Sequence, residues 1–570
     1  MKNTEILQLY TEEGERLKNG APLAYHTAYP RPQMVRDSFF SLNGEWYFSA
    51  NGGETERITV PFPPESLLSG ICRGMGKRAY LKYERSFTLP EGFIKDRVLL
   101  HFGAVDQLAY VKINGRSVGT HEGGYLPFEF DITETLTDGE NLIEVTAVDD
   151  TEDKTLPYGK QRYDRGGMWY TPVSGIWQSV WLESVPEKHV SALRITADTV
   201  GAVIEAEGVT EGEITVTTPD GEEKIPLING KATVKPRNIR LWSPDAPYLY
   251  RFTLKTGEDE ISSYFALRAV DVKTVNGIPR ICLNGSPVFL HALLDQGYYS
   301  DGIYTPASPE CYERDILTAK ALGFNTLRKH IKIEPEYFYY YCDLHGMLVM
   351  QDMVNNGSYS FIRDTALPTV FMKSFPDKLL NRDKRVRENF LTHTKDTVKL
   401  LYNHPCVCYW TVFNEGWGQF EADKAYRFLR SLDRSRVIDT ASGWFHPKES
   451  DVESIHTYFK PFKLKKGKTL PTVLSEFGGY SCKIAESSVN LEKTYGYKPF
   501  DTPEELENAL VTLYENEIIP AVKDGLCGSV LTQLTDVEDE VNGLITYDRK
   551  RLKVSAEKLL PISEKLRLTR

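Results

Sequence analysis

The chain reads as two β-sandwiches followed by a (β/α)8 barrel, a multidomain β plus α/β architecture. Three observations predict it. Short alternating strands separated by turn residues run from Phe40 to about residue 270. From Arg280 onward, strands alternate with stretches of helical apolar spacing, as parallel strands with crossover helices require. At 570 residues the chain is too long for one core, so roughly three or four domains are expected.

Residues 1 to about 35 are polar and proline-containing and read as a lead-in arm. Phe40–Phe48, Tyr80–Phe87, Arg97–Phe102, Ala109–Ile113 and Asn141–Val148 are then short strands, with Asn114-Gly115 as a hairpin turn. This first sandwich ends near Trp181-Leu182-Glu183. Val190–Ala197, Gly212–Thr217, Leu241–Pro244 and Tyr248–Leu254 follow, and their number and size suit an immunoglobulin-like sandwich. In the last part, Pro287–Ala292, Asn325–Arg328, Met347–Asp352, Tyr409–Phe413, Val437–Thr440, Ser454–Tyr458, Pro471–Ser475 and Gly528–Leu534 are the strands. Pro309–Leu322, Glu334–His345, Arg382–Tyr402, a segment ending at Leu432, and Pro503–Lys523 are the helices.

Composition excludes several classes. The net charge is −11 with both signs interspersed, which speaks against nucleic acid and against an anionic membrane surface. No apolar run approaches membrane-spanning length. Met1–Ile6 lacks the apolar core of a signal peptide, so a cytoplasmic location is expected. The eight cysteines are scattered without C-x-x-C and read as reduced thiols. His393, His404, His446 and His456 have no ligand spacing, so neither metal nor cofactor is expected.

Chemistry concentrates at two strand ends. Tyr409-Trp410-Thr411-Val412-Phe413 is an apolar run that closes on Asn414-Glu415-Gly416. Pro471-Thr472-Val473-Leu474 closes on Ser475-Glu476-Phe477-Gly478. A carboxylate at the end of a buried strand is costly without partners. In a barrel of this kind that end is where chemistry is built. Two such glutamates suggest the carboxylate pair of glycoside hydrolysis.

These two stretches, the order of domains, Trp169–Gln178 and Asn284–Val288 resemble a family 2 glycoside hydrolase. That family includes β-galactosidases, β-glucuronidases and β-mannosidases. The resemblance implies a jelly-roll sugar-binding-like domain over residues 1–186, an immunoglobulin-like spacer over 187–271 and a catalytic barrel over 272–570. It implies a retaining exo-β-glycosidase, with Glu415 as general acid/base and Glu476 as nucleophile. The carboxyl separation should then be about 5–5.5 Å. Asn414 would bind the sugar 2-hydroxyl, Tyr458 would donate to the nucleophile, and Arg328 would hold it ionised, with His330 beside it.

Further candidates for substrate binding are His456, Trp444 as a stacking platform, Asp295, and Asp164 on a loop of the first domain. Asp536, Glu538 and Glu540 could contact substrate, but a charge run of this kind is more often a solvated loop, as are Lys329 and Lys332. β-Glucuronidases of the family carry Asn-any-Lys after the last barrel strand. Here the stretch is Glu540-Val541-Asn542-Gly543-Leu544 and lacks the lysine. A neutral glycone, β-galactose first, is therefore the leading expectation. A β-glucuronidase or β-galacturonidase using Lys329 or Lys332 is the alternative, and β-mannosidase and arabinopyranosidase activity stay open. A catalytically silent carbohydrate-binding protein is the alternative from another class, and the presence of both glutamates speaks against it. The partner expected is a small glycoside or oligosaccharide. A homo-oligomer is compatible with the resemblance.

Overall fold

The computed structural model describes residues 7–367, 376–465 and 467–568. Residues 39–185 form two antiparallel sheets packed face to face. One has four strands in the order Phe39–Ser41, Val180–Val185, Arg97–Phe102, Phe128–Asp131. The other has six, in the order Glu56–Val60, Gly44–Ala50, Arg78–Thr88, Glu140–Asp150, Leu108–Ile113, Arg116–Glu122. Along Glu140–Asp150 every second residue is buried, with Ile143, Val145 and Ala147 pointing into the core. That is the pattern of an antiparallel sheet covered on one face. Residues 192–265 form seven antiparallel strands folded around Ile204, Val216, Phe252 and Leu254, the immunoglobulin-like sandwich.

The barrel strands are β1 (Leu290–Asp295), β2 (Thr326–Lys329), β3 (Leu348–Asp352), β4 (Val407–Asn414), β5 (Val437–Ser442), β6 (Glu453–Thr457), β7 (Thr472–Gly478) and β8 (Leu526–Thr532). They pair in parallel in the order β5-β4-β3-β2-β1-β8-β7-β6. The circle is thus nearly closed, with no ladder between β5 and β6. The first strand lies about three residues later than Pro287–Ala292. Asn284 and Gly285 both take positive φ and turn Ser286-Pro287 back onto an antiparallel ribbon with Ile278–Leu283. The shift makes Asp295 a strand-end residue.

The helices that follow barrel strands include α1 (Glu310–Ala321), α2 (Glu336–His345), α3 (Lys384–Leu401), α4 (Ala422–Leu432) and α5 (Pro503–Leu513). In α3 the residues Val386, Phe390, His393, Thr394, Thr397 and Leu401 are buried at helical spacing. Thr502 caps α5 by accepting from the Glu505 amide, with Pro503 in the first turn. The helix expected to reach Lys523 instead widens at Tyr514–Ile518 before Ile519–Val522. Pro520 lacks the amide that a regular turn needs there.

The domains are locked by buried charge. Arg36 joins Glu183 of the first sandwich (3.1 Å) to Asp259 of the second (2.9 Å). The lead-in arm docks on the barrel domain through Thr11, whose amide and hydroxyl both donate to Asp301. A long segment of the first domain, residues 151–175, crosses to the barrel. There the Tyr158 amide donates to Asn355 O (3.0 Å), and Arg165 pairs with Glu538 (2.9 Å). All eight cysteines are free, seven of them buried. Among the described residues no helix is long and apolar enough to cross a membrane.

Candidate active site

β4 and β7 are buried at every position, as strands covered on both faces must be. Each delivers its glutamate at the same end of the barrel. Glu415 leaves β4 at φ +50°, a left-handed conformation uncommon for a residue with a Cβ and one that tends to mark functional sites. Gly416 continues at φ +77°, and a Cβ there would stand 2.4 Å from the Phe445 ring. Glu415 and Glu476 are 7% and 5% exposed. A carboxylate oxygen from each and a ring nitrogen of His456 all lie within 4.8 Å of one another.

Glu476 sits in a dense set of donors. Arg328 Nη1 donates to its Oε1 (3.0 Å), and the Tyr458 hydroxyl donates to its Oε2 (2.6 Å). Burial alone would raise this carboxyl. The charges of His456, Arg328 and His330, with the Tyr458 hydrogen bond, outweigh burial and hold Glu476 down at about 2. Arg328 is fully buried at the end of β2 and is itself oriented by Asp352 (Nε to Oδ1, 3.0 Å) and by the Ser475 carbonyl (2.9 Å). Asp352 also meets His330 Nδ1 at 2.7 Å.

Glu415 has sparser company. Its Oε1 lies 2.9 Å from His456 Nδ1. The other ring nitrogen of His456 lies 2.9 Å from Ser442 Oγ, which bonds to Ser475 Oγ (2.9 Å), which bonds to Ser454 Oγ (2.6 Å). This hydroxyl chain fixes the plane of the imidazole between the two carboxylates. Asn414 accepts from Arg328 Nη2 (2.8 Å) with its carbonyl oxygen, so its NH2 remains as a donor. Tyr458 stacks on Tyr497 (centroids 3.9 Å, 8°) and also meets the Thr532 hydroxyl. Trp444 is half-buried, donates to Asp364 O and stands edge-on to His456 (5.6 Å).

The structure thus brings together Glu415, Glu476, Asn414, Tyr458, Arg328, His330, His456 and Trp444. It does not bring in Asp295 or Asp164. Both Asp295 oxygens are occupied, Oδ2 by Lys329 Nζ (2.6 Å) and Oδ1 by the Gly297 amide (2.9 Å). Asp164 is exposed, and its charge acts on Lys77 on the outer face of the first domain. It is Arg165 that reaches the barrel.

Lys329 and Lys332 are not on a solvated loop. Both are about 1% exposed and share Glu334, at 2.8 and 2.9 Å. Asp536, Glu538 and Glu540 are buried too. Lys553 pairs with Asp536 (2.6 Å), Arg165 with Glu538, and the Tyr170 hydroxyl donates to Glu540.

Sequence spacing gave no metal set, yet the fold gathers Glu415, His456 and Glu476 as three candidate donors. The Arg328 guanidinium already holds Glu476, and a divalent ion there would repel it. Residues that sequence inspection missed include Asp352, Ser442, Ser454, Thr532 and Tyr497. Only Asp352, an acid closing a barrel strand, carries a signal that could have found it.

Comparison with known proteins agrees with this architecture. Residues 76–186 match the sugar binding domain of glycosyl hydrolases family 2, residues 188–268 match glycosyl hydrolases family 2, and residues 307–544 match that family's TIM barrel domain. A β-galactosidase of Thermoanaerobacter pseudethanolicus is 27% identical over 450 residues, 73% of this chain and 56% of its own length. A β-glucuronidase of Paenibacillus borealis is 25% identical over 462 residues, 72% of this chain and 73% of its own. The structure of a β-D-glucuronidase from Dictyoglomus thermophilum shares the fold with a TM-score of 0.74 at 18% identity, covering 94% of this chain and 99% of that one. The three matched segments follow one another in the order sugar binding domain, central domain and TIM barrel domain, and the chain belongs to glycosyl hydrolases family 2.

Proposed function

We propose that this chain is a retaining exo-β-glycosidase that removes a terminal β-linked sugar by double displacement. The carrying observation is that an oxygen of one carboxyl group lies within 4.8 Å of an oxygen of the other, in different surroundings. Inverting enzymes hold the pair about 6.5–9.5 Å apart to admit a water; the shorter distance favours direct attack.

Glu476, held ionised by Arg328 and Tyr458, attacks the anomeric carbon. The C–O bond to the leaving group breaks as Glu415 passes its proton to that oxygen. The product of this step is a glycosyl ester of Glu476 and a free alcohol. Water then loses a proton to Glu415, attacks the same carbon and releases the Glu476 carboxylate, so the β configuration is retained. The free NH2 of Asn414 is placed to donate to the 2-hydroxyl, an interaction that strengthens as the ring flattens. The crossing segment 151–175 walls one side of the barrel mouth, which supports action at a chain end.

The relatives named above include both a β-galactosidase and a β-glucuronidase. The absence of a lysine after β8 favours a neutral sugar such as β-galactose. A panel of p-nitrophenyl β-galactoside, β-glucuronide, β-galacturonide, β-mannoside and α-L-arabinopyranoside, run beside Glu476→Gln, tests the function. Hydrolysis of one member, silenced by the substitution, is the expected result; activity that survives Glu476→Gln would contradict it.

A further inference from the structure

Lys160 lies in the crossing segment of the first domain, and its backbone is fixed on both sides. The Tyr158 and Gly159 amides donate to Asn355 O (3.0 and 3.5 Å), and the Tyr170 amide donates to Lys160 O (3.1 Å). Gly159 adopts φ +65°, and a Cβ there would stand 2.9 Å from Ile331 O, so only glycine lets the segment pass this close to the loop after β2.

The side chain is 7% exposed. Its ammonium is 5.2 Å from the ring centre of Trp417, two residues after Glu415. It is 5.7 Å from the ring of Tyr170, whose hydroxyl donates to Glu540. The ammonium also acts on two groups of the site. Burial first, and then the Lys160 charge, push His330 down to about 4. The same charge counters the upward push of burial on Glu540. Lys160 therefore lies by Trp417 after β4, His330 after β2 and Glu540 after β8.

The other buried cations are engaged. Arg328 holds Glu476 and Asp352, Lys329 holds Asp295 and Glu334, Lys332 holds Glu334, and Lys553 holds Asp536. Arg36 and Arg436 bind aspartates, while Arg268 and Arg280 bind backbone carbonyls. Lys160 alone among the buried lysines and arginines of the described residues has no hydrogen-bond or ion-pair partner. A largely buried ammonium with no hydrogen-bonded anion keeps little of its hydration, and aromatic faces offset that loss only in part. A substrate anion would complete the site.

We infer that Lys160 binds the carboxylate of the glycone, which makes the substrate a β-linked uronic acid. This rests on the β-glycosidase reading and selects among its sugars. The charge that is missing after β8 comes from another domain. A neutral sugar would leave the ammonium unpaired, and a site built around a charged hydrogen bond discriminates strongly against a ligand that lacks the group.

Two measurements on the full-length protein test this. The first is kcat/KM for p-nitrophenyl β-D-glucuronide, β-D-galacturonide, β-D-glucoside and β-D-galactoside, with wild type, Lys160→Met and Lys160→Arg. A uronide should be preferred over its neutral counterpart. Lys160→Met should lose on the order of a hundredfold on the uronide. That loss should fall mainly in KM, exceed any loss on the neutral glycosides by at least about tenfold, and be partly restored in Lys160→Arg. Preference for a neutral glycoside, or equal loss on both classes in Lys160→Met, would overturn the assignment.

The second is calorimetric binding of D-glucuronate, D-galacturonate and D-galactose to wild type and Lys160→Met, which needs no turnover. Tighter binding of a uronate that depends on Lys160 supports the inference. Equal affinity for uronate and D-galactose overturns it. Absence of turnover on every glycoside would instead count against the β-glycosidase reading, and the binding result would still decide the role of Lys160.

Discussion

Glu415 at the end of β4 and Glu476 at the end of β7 are the same side chain at the same depth, and their neighbours differ. Glu476 receives a guanidinium from β2 and a phenol from the end of β6, and its carboxyl is held at about 2. Among the described residues the side-chain hydrogen-bond partner of Glu415 is a single imidazole, and its backbone is twisted into the left-handed region. Role is therefore set by what other strands bring to a carboxylate, here a fixed cation for one and an adaptable ring for the other. A nucleophile needs the first arrangement, and a group that gives and takes a proton in turn needs the second.

The contrast can be broken most severely at Glu476. Glu476→Gln should lower kcat by at least about 10⁴-fold, because the glycosyl ester cannot form. The same substitution should flatten the acid side of stability. A carboxyl lowered in the folded state binds its proton less readily than in the unfolded chain. Its contribution is therefore present above the usual carboxylate range and lost as pH falls from there through about 2. Acid unfolding followed by circular dichroism should show a smaller loss across that window in Glu476→Gln than in wild type.

Glu415→Ala should cost about 10²–10⁴-fold with a poor leaving group and less with an activated one. Azide attacks without a general base, so it should restore turnover in Glu415→Ala and yield a β-glycosyl azide. No rescue would place the acid elsewhere.

Arg328→Met removes the charge that separates the two environments. Glu476 should then rise from about 2, and the acid limb of kcat/KM should move to higher pH. Asp352 would be left buried without its cation, at a cost of about 3–5 kcal/mol of stability readable by urea unfolding. An unmoved acid limb in the folded fraction would contradict the role given to Arg328.

Tyr458→Phe should cost roughly 10–100-fold in kcat, the worth of one hydrogen bond to a charged oxygen. Smaller effects are expected outside the cluster. Asp295→Asn should weaken the Lys329 pair and lower the melting temperature with little change in KM, and Asp164→Ala should keep the unfolding free energy within about 0.5 kcal/mol of wild type.

The sandwich–sandwich–barrel order was legible because period-two and helical spacing are local signals. The glutamates were legible for the same reason, since an apolar run, an acid and a glycine lie within ten residues of each other at both strand ends. Asp295 carries the same strand-end signature, and nothing in its neighbourhood distinguishes it from Glu476. Its partner stands on the next strand, and pairing across a parallel sheet leaves no linear trace. Lys329 and Lys332 look solvated in sequence because Glu334, which allows both to be buried, becomes their shared partner only when the loop folds over it. Lys160 was beyond reach for a further reason: it comes from a different domain, and its significance is the lack of a partner, which only the folded arrangement defines.

The most direct test is covalent. The protein would be incubated with 2-deoxy-2-fluoro-β-glycosyl fluorides of galactose and of glucuronic acid, which slow both steps and leave an activated leaving group for the first. Digestion and mass spectrometry would then locate the label. One glycosyl unit on the peptide containing Glu476, absent in Glu476→Gln, is the predicted result. A label on Glu415, or release of the α-anomer as the first product with Glu476 unlabelled, would contradict a double displacement through Glu476.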